Sequence, residues 1–150
     1  MLTKAFLVPT LGYLGLIPFL GAAALALSGQ LLLGLEPELM FVGYSAVILA
    51  FLCGSLWGKG LGIVDSPASR TLLVVSNLFA VLAWVSLTIE SIDYGAALTA
   101  LGIGYSLILY LEYRMSRILF ANIEYPYLAL RVRLTAIVLC SHLGMAYLSL

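Results

Sequence analysis

Long apolar stretches alternate along this chain with short polar interruptions, and the charged residues are confined to the interruptions. The apolar runs are continuous rather than alternating with period two, which selects helices over the strands of a barrel. Each run approaches the roughly 20 residues a helix needs to cross the hydrocarbon core. The pattern predicts five spans, at about residues 5–28, 39–58, 71–89 and 94–111, with the fifth ending at Leu150. That last span begins near Leu134, or near Tyr127 if Arg131 and Arg133 snorkel their guanidinium heads to the headgroups. The expected fold is an all-α membrane protein, a bundle of five transmembrane helices forming one integral domain over residues 1–150.

The connections read as Gly29 to Glu38, Lys59 to Arg70 and the tight Glu90 to Asp93 turn. The second of these contains Gly60-Leu61-Gly62 and Ser66-Pro67 as expected breakers. Connections this short make sequential helices antiparallel neighbours. The stretch from Glu112 to Pro126 mixes Arg114, Arg117 and Glu124 with Tyr113, Phe120 and Tyr125, followed by Tyr127. Amphipathic rings and cations both favour the bilayer interface, so this segment is expected to lie on the membrane.

Composition agrees with the pattern: 63% of the 150 residues are hydrophobic and 9% charged, against about a quarter charged in a soluble domain. Seven basic and seven acidic residues cancel, so no basic surface offers itself to nucleic acid. With five spans, Lys4, Lys59, Arg70, Arg114, Arg117, Arg131 and Arg133 all fall on one side. The opposite connections carry Glu36, Glu38, Glu90 and Asp93 and no base. The positive-inside rule then places the N-terminus in the cytoplasm and the C-terminus outside. Lys4, an apolar run and Ala24-Leu25-Ala26 imitate a cleavable signal peptide, but the run is long enough to span and contains two prolines, which favours a retained first helix. The N-terminus also lacks the Arg-rich, amphipathic character of a transit peptide, which favours the inner membrane of a bacterium.

Three segments carry a family resemblance. They are Pro9-Thr10-Leu11-Gly12-Tyr13-Leu14-Gly15-Leu16-Ile17-Pro18-Phe19, the run from Tyr44 through Cys53-Gly54-Ser55-Leu56-Trp57 to Gly58, and Leu130-Arg131-Val132-Arg133-Leu134-Thr135. With spacing over nearly the whole chain, they resemble a domain-of-unknown-function family of short bacterial inner-membrane proteins related to the mitochondrial transmembrane protein 69. Ser45 and Cys53 depart from that pattern, where glycine is usual, and so does Leu56, where a polar residue often sits. The resemblance implies location and topology and brings no reaction with it.

Lipid supplies no hydrophobic drive between helices, so small residues must let backbones approach. Ala46, Ala50, Gly54 and Gly58 form such a seam on the second span, Ala96, Ala100 and Gly104 on the fourth, and Ala136, Cys140 and Gly144 on the fifth. Intramolecular packing is the first expectation for each seam, and a second protein the alternative. Pro9 and Pro18, with Gly12, Gly15 and Gly21 around them, predict a kinked or locally unwound first span. Every Asp, Glu, Lys and Arg lies at or near a proposed span end, leaving His142 as the titratable candidate nearest the midplane apart from tyrosines and cysteines. A proton pump would display a buried carboxylate, so this pattern argues against one.

Asn77, His142, Tyr44 and Tyr105 are the candidate polar or pathway residues, Asn77 bonding across a helix interface or lining a small polar cavity with Ser76, Tyr44 or Tyr105. Cys140 lies about 200° round the helix from His142, so the two do not share a metal ion. Cys53 and Cys140 read as two buried small apolar thiols at similar depth. No metal or cofactor is expected, because no HExxH, no phosphate-cradling loop and no paired nucleophile and base stand in the chain. Arg114, Arg117, Arg131 and Arg133 are candidate contacts for anionic lipid headgroups. The leading expectation is a non-enzymatic accessory or structural factor acting through helix contacts with itself or another membrane protein. The alternative is a small transporter or channel with a polar pathway near Asn77 and His142.

Overall fold

The computed structural model describes residues 3–121 and 126–149. Glu124 and Tyr125 of the expected interfacial segment, and the Leu150 end of the last span, lie outside the described residues. The described chain contains the helices α1 (Lys4–Leu14), α2 (Ile17–Ser28), α3 (Pro37–Gly62), α4 (Pro67–Ile89), α5 (Tyr94–Arg114), α6 (Ser116–Leu119) and α7 (Tyr127–Leu148). Taking α1 and α2 as one segment, five helices are long and apolar enough to cross a membrane. The expected count and helical class therefore hold.

The first span is interrupted as its prolines predict, but only one of them marks the place. Pro9 sits inside an unbroken α1. The break falls at Gly15 and Leu16, just before Pro18 at the start of α2. Pro18 has no N–H to give the carbonyl of Leu14, so the ladder ends there. Gly15 N–H still donates to Leu11 O and Leu16 N–H to Tyr13 O, which closes the last turn of α1.

Both boundaries of the α3–α4 connection differ from expectation. Helix α3 runs through Gly60, Leu61 and Gly62 instead of ending at Gly58. Gly60 serves close packing: a Cβ there would lie 3.1–3.2 Å from Leu72 and Leu73 of α4, and its carbonyl accepts the buried Ser69 hydroxyl at 2.8 Å. Helix α4 starts at Pro67, four residues before Thr71, because Ser66 is its N-cap and accepts from Ser69 N–H at 3.2 Å. The fifth span takes the earlier of its two expected starts, Tyr127.

The chain divides into two compact units, Met1–Phe41 with Leu109–Leu150, and Val42–Ile108. In the first, α1 and α2 both pack on α7. Gly12 permits the approach of α1, since a Cβ there would meet Leu134 Cδ1 at 2.8 Å. Phe19 of α2 and Phe41 of α3 meet edge to face at 5.3 Å, and Phe41 meets His142 of α7 at 4.9 Å in the same manner. In the second unit, α3 buries Val42, Ser45, Ala46, Leu49, Cys53 and Leu56 at three- and four-residue spacing. Helix α5 buries Ala97, Leu98, Leu101, Tyr105 and Ile108, and Gly104 approaches Leu49 closely enough that a Cβ would lie 2.8 Å from its Cδ2.

Candidate functional site

The small-residue seam of α3 divides along its length. Ala46 is buried, but Ala50, Gly54 and Gly58 are exposed. A Cβ added at Gly54 or Gly58 would meet open space. The cause is geometric. Four residues turn a helix by about 400°, so a stripe at strict four-residue spacing drifts by about 40° per step, and Gly58 lies about 120° round from Ala46. The buried face instead follows Leu49, Cys53 and Leu56. On α5 the drift runs inward, from exposed Ala96 through half-buried Ala100 to buried Gly104. On α7, Ala136, Cys140 and Gly144 are all exposed, so that seam does not pack against the other described residues. Cys140 is thus an exposed thiol rather than the expected buried one, while Cys53 is buried; neither is in a disulfide.

The outward half of the α3 seam borders an open groove of about 190 Å³ between α3 and α4, lined by Ala50, Cys53, Gly54, Trp57, Ser76, Asn77 and Ala80. Asn77 stands near the middle of α4 and is exposed. Its Nδ2 donates to Leu73 O at 2.8 Å, one turn back on the same helix. An amide carries two N–H donors and an acceptor oxygen, so the bond to Leu73 leaves further capacity facing the groove. Ser76, beside it, is buried and donates to Leu73 O at 3.0 Å.

The other expected pathway residues are placed elsewhere. Tyr105 is buried and its hydroxyl donates to Ser45 O at 2.8 Å, a link between α5 and α3. Tyr44 is half-buried and does not line the groove. His142 belongs to the other unit, buried against Phe41 and tilted towards Phe19 at 6.2 Å. Its Nδ1 lies 2.8 Å from Val138 O. A carbonyl only accepts, so Nδ1 carries the proton. Among the described residues no three His, Cys, Asp or Glu side chains gather as metal ligands.

The polar feature that sequence reasoning missed is a buried ion pair. Arg131 Nε donates to Glu112 Oε2 at 2.8 Å, with side-chain exposures of 7% and 5%. The expectations that Arg131 meets headgroups and that Glu112 opens an interfacial segment are corrected here. Helix α5 continues to Arg114 and α7 begins at Tyr127, so both residues sit on helices and on their inward stripes. Glu112 follows Leu101, Tyr105 and Ile108 on α5, and Arg131 precedes Thr135, Val138, His142 and Met145 on α7. That periodicity was the available signal, because the two positions extend apolar stripes by single helical turns. Among the described residues, buried Arg131 Nη2 has no hydrogen-bond partner. Arg114, Arg117 and Arg133 are exposed. The ion pair of loop residue Asp65 with Arg70 of α4, at 2.9 Å, is exposed, and the guanidinium holds the Asp65 carboxyl below its ordinary value.

These features define a multi-pass membrane protein whose five apolar helices carry an outward-facing small-residue groove. The chain belongs to the family described as protein of unknown function DUF3429, whose model matches residues 5–147. No curated protein and no solved structure matches it.

Proposed function

We propose that this protein is a non-enzymatic accessory or structural factor of the bacterial inner membrane, acting through lateral helix contacts with another membrane protein or with itself. The observation that supports this reading is the groove where Ala50 and Gly54 meet Asn77. Small residues let a second backbone approach, and dispersion and interhelical hydrogen bonds then hold it. An amide facing hydrocarbon is costly until it finds a partner, and Asn77 has donor and acceptor capacity to offer. The transporter alternative draws less support, since the Tyr105 hydroxyl and His142 Nδ1 are each committed to a backbone carbonyl. In this reading the N-terminus is cytoplasmic and the exposed Arg114, Arg117 and Arg133 rest against anionic headgroups.

The test is photocrosslinking from a benzophenone side chain placed at Ala50, in cells, followed by mass analysis of the adducts. A discrete protein adduct that Gly54→Leu abolishes is the expected outcome. Adducts to lipid alone would overturn the reading.

A further inference from the structure

Four of the eight residues that connect α2 to α3 are leucines. Leu31, Leu32, Leu33 and Leu35 are all exposed, Leu33 at 92%, and no charged residue stands between Ser28 and Glu36. The turn closes on itself: Leu32 N–H donates to Leu35 O at 3.3 Å and Leu35 N–H to Leu32 O at 3.0 Å. Those four backbone groups are therefore satisfied without water, as entry into an apolar layer requires.

Leu33 and Gly34 have φ of 56° and 77°. A two-residue turn with both central positions left-handed ordinarily takes Asn-Gly or Gly-Gly. A leucine there combines an unfavourable backbone with an apolar side chain that is left uncovered among the described residues. In water both features are costs, whereas against acyl chains the side chain gains what the backbone loses. The lipid-facing surface reaches the turn from both sides, through exposed Leu27 in the last turn of α2 and exposed Leu39 in the first turn of α3. Both belong to segments long and apolar enough to span, Leu27 to Lys4–Ser28 and Leu39 to α3. The leucine patch is thus continuous with the surface that the bilayer already contacts.

We propose that the Leu31–Leu35 turn is a membrane-inserted tip, folded into the boundary between headgroups and acyl chains, with Leu33 deepest. Gln30 and Glu36 flank it at headgroup level and limit its depth.

The experiment places single cysteines at Leu33 and at Glu36 in a Cys53→Ala, Cys140→Ala background. The full chain, labelled with an environment-sensitive fluorophore, is reconstituted in vesicles of phosphatidylethanolamine and phosphatidylglycerol. An inserted tip gives a blue-shifted emission at position 33, quenched more by lipids brominated near the top of the acyl chain than the label at 36. An aqueous loop gives the reverse order of depth, with iodide quenching strongest at 33, and overturns the proposal. Shielding of position 33 from both quenchers means that protein covers the turn, and overturns it too. To remove the label's own contribution at the tip, a second reporter at Leu31 is read with and without Leu33→Asn. Asparagine fits the left-handed backbone, so the turn persists while the anchor is lost, and the Leu31 label is expected to shift to the red.

Discussion

Glu112 and Arg131 lie 19 residues apart in sequence and meet at 2.8 Å in a buried environment. Two ions removed from water carry a desolvation cost that their attraction offsets only if both are present and well bonded. Removing one leaves an uncompensated charge. Arg131→Met or Glu112→Leu is therefore expected to lower unfolding stability by about 3–5 kcal/mol, measured by denaturant unfolding in lipid discs. The Glu112→Leu, Arg131→Met double variant is expected to recover most of that loss, because an apolar pair of similar volume carries no cost of ion desolvation. Recovery no greater than either single variant would show that the pair is not the source of the effect. Neither residue announced itself, because a charged side chain near a span end reads as interfacial. What places both inside is the helical stripe on which each falls, Ile108 to Glu112 and Arg131 to Thr135.

Helices α3 and α5 show how the same small-residue spacing leads to opposite outcomes. Gly104 is buried under Leu49, with Leu82 Cδ2 also 3.5 Å from the position of an added Cβ, whereas nothing lies within 4 Å at Gly54. Gly104→Leu must displace packed side chains and is expected to cost about 1–3 kcal/mol. Gly54→Leu is expected to leave the melting temperature of the isolated chain essentially unchanged, within about 0.5 kcal/mol in stability. Thermal unfolding of both variants in the same lipid discs checks the contrast, and equal losses would contradict it. The stripes themselves were legible as repeats of Gly and Ala. Which end of each stripe faces inward was not, since a period of four drifts against 3.6 residues per turn and only the neighbouring helices fix its phase. The break in the first span was legible as a pair of prolines, and the backbone chose Pro18 over Pro9.

For the whole molecule, five spans put every Lys and Arg on one side, which predicts a cytoplasmic N-terminus. Alkaline phosphatase fused after Leu148 is expected to be active, and the same enzyme inserted after Val64, between α3 and α4, inactive. Activity at both sites, or the reverse pattern, would refute that orientation.

Hydropathy determined the helical class and the number of spans, because the bilayer acts on each segment as a solvent and asks only for about 20 apolar residues with an internally bonded backbone. Charge asymmetry likewise needs no tertiary partner to be read. The partner that an individual residue meets was decided by tertiary structure. Whether Arg131 meets a headgroup or Glu112, whether Gly54 packs or stands open, and whether Gly60 ends a helix or admits a neighbour all depend on what lies across a few ångströms of space. Those contacts join residues far apart in sequence, and no local pattern along the chain carries that distance.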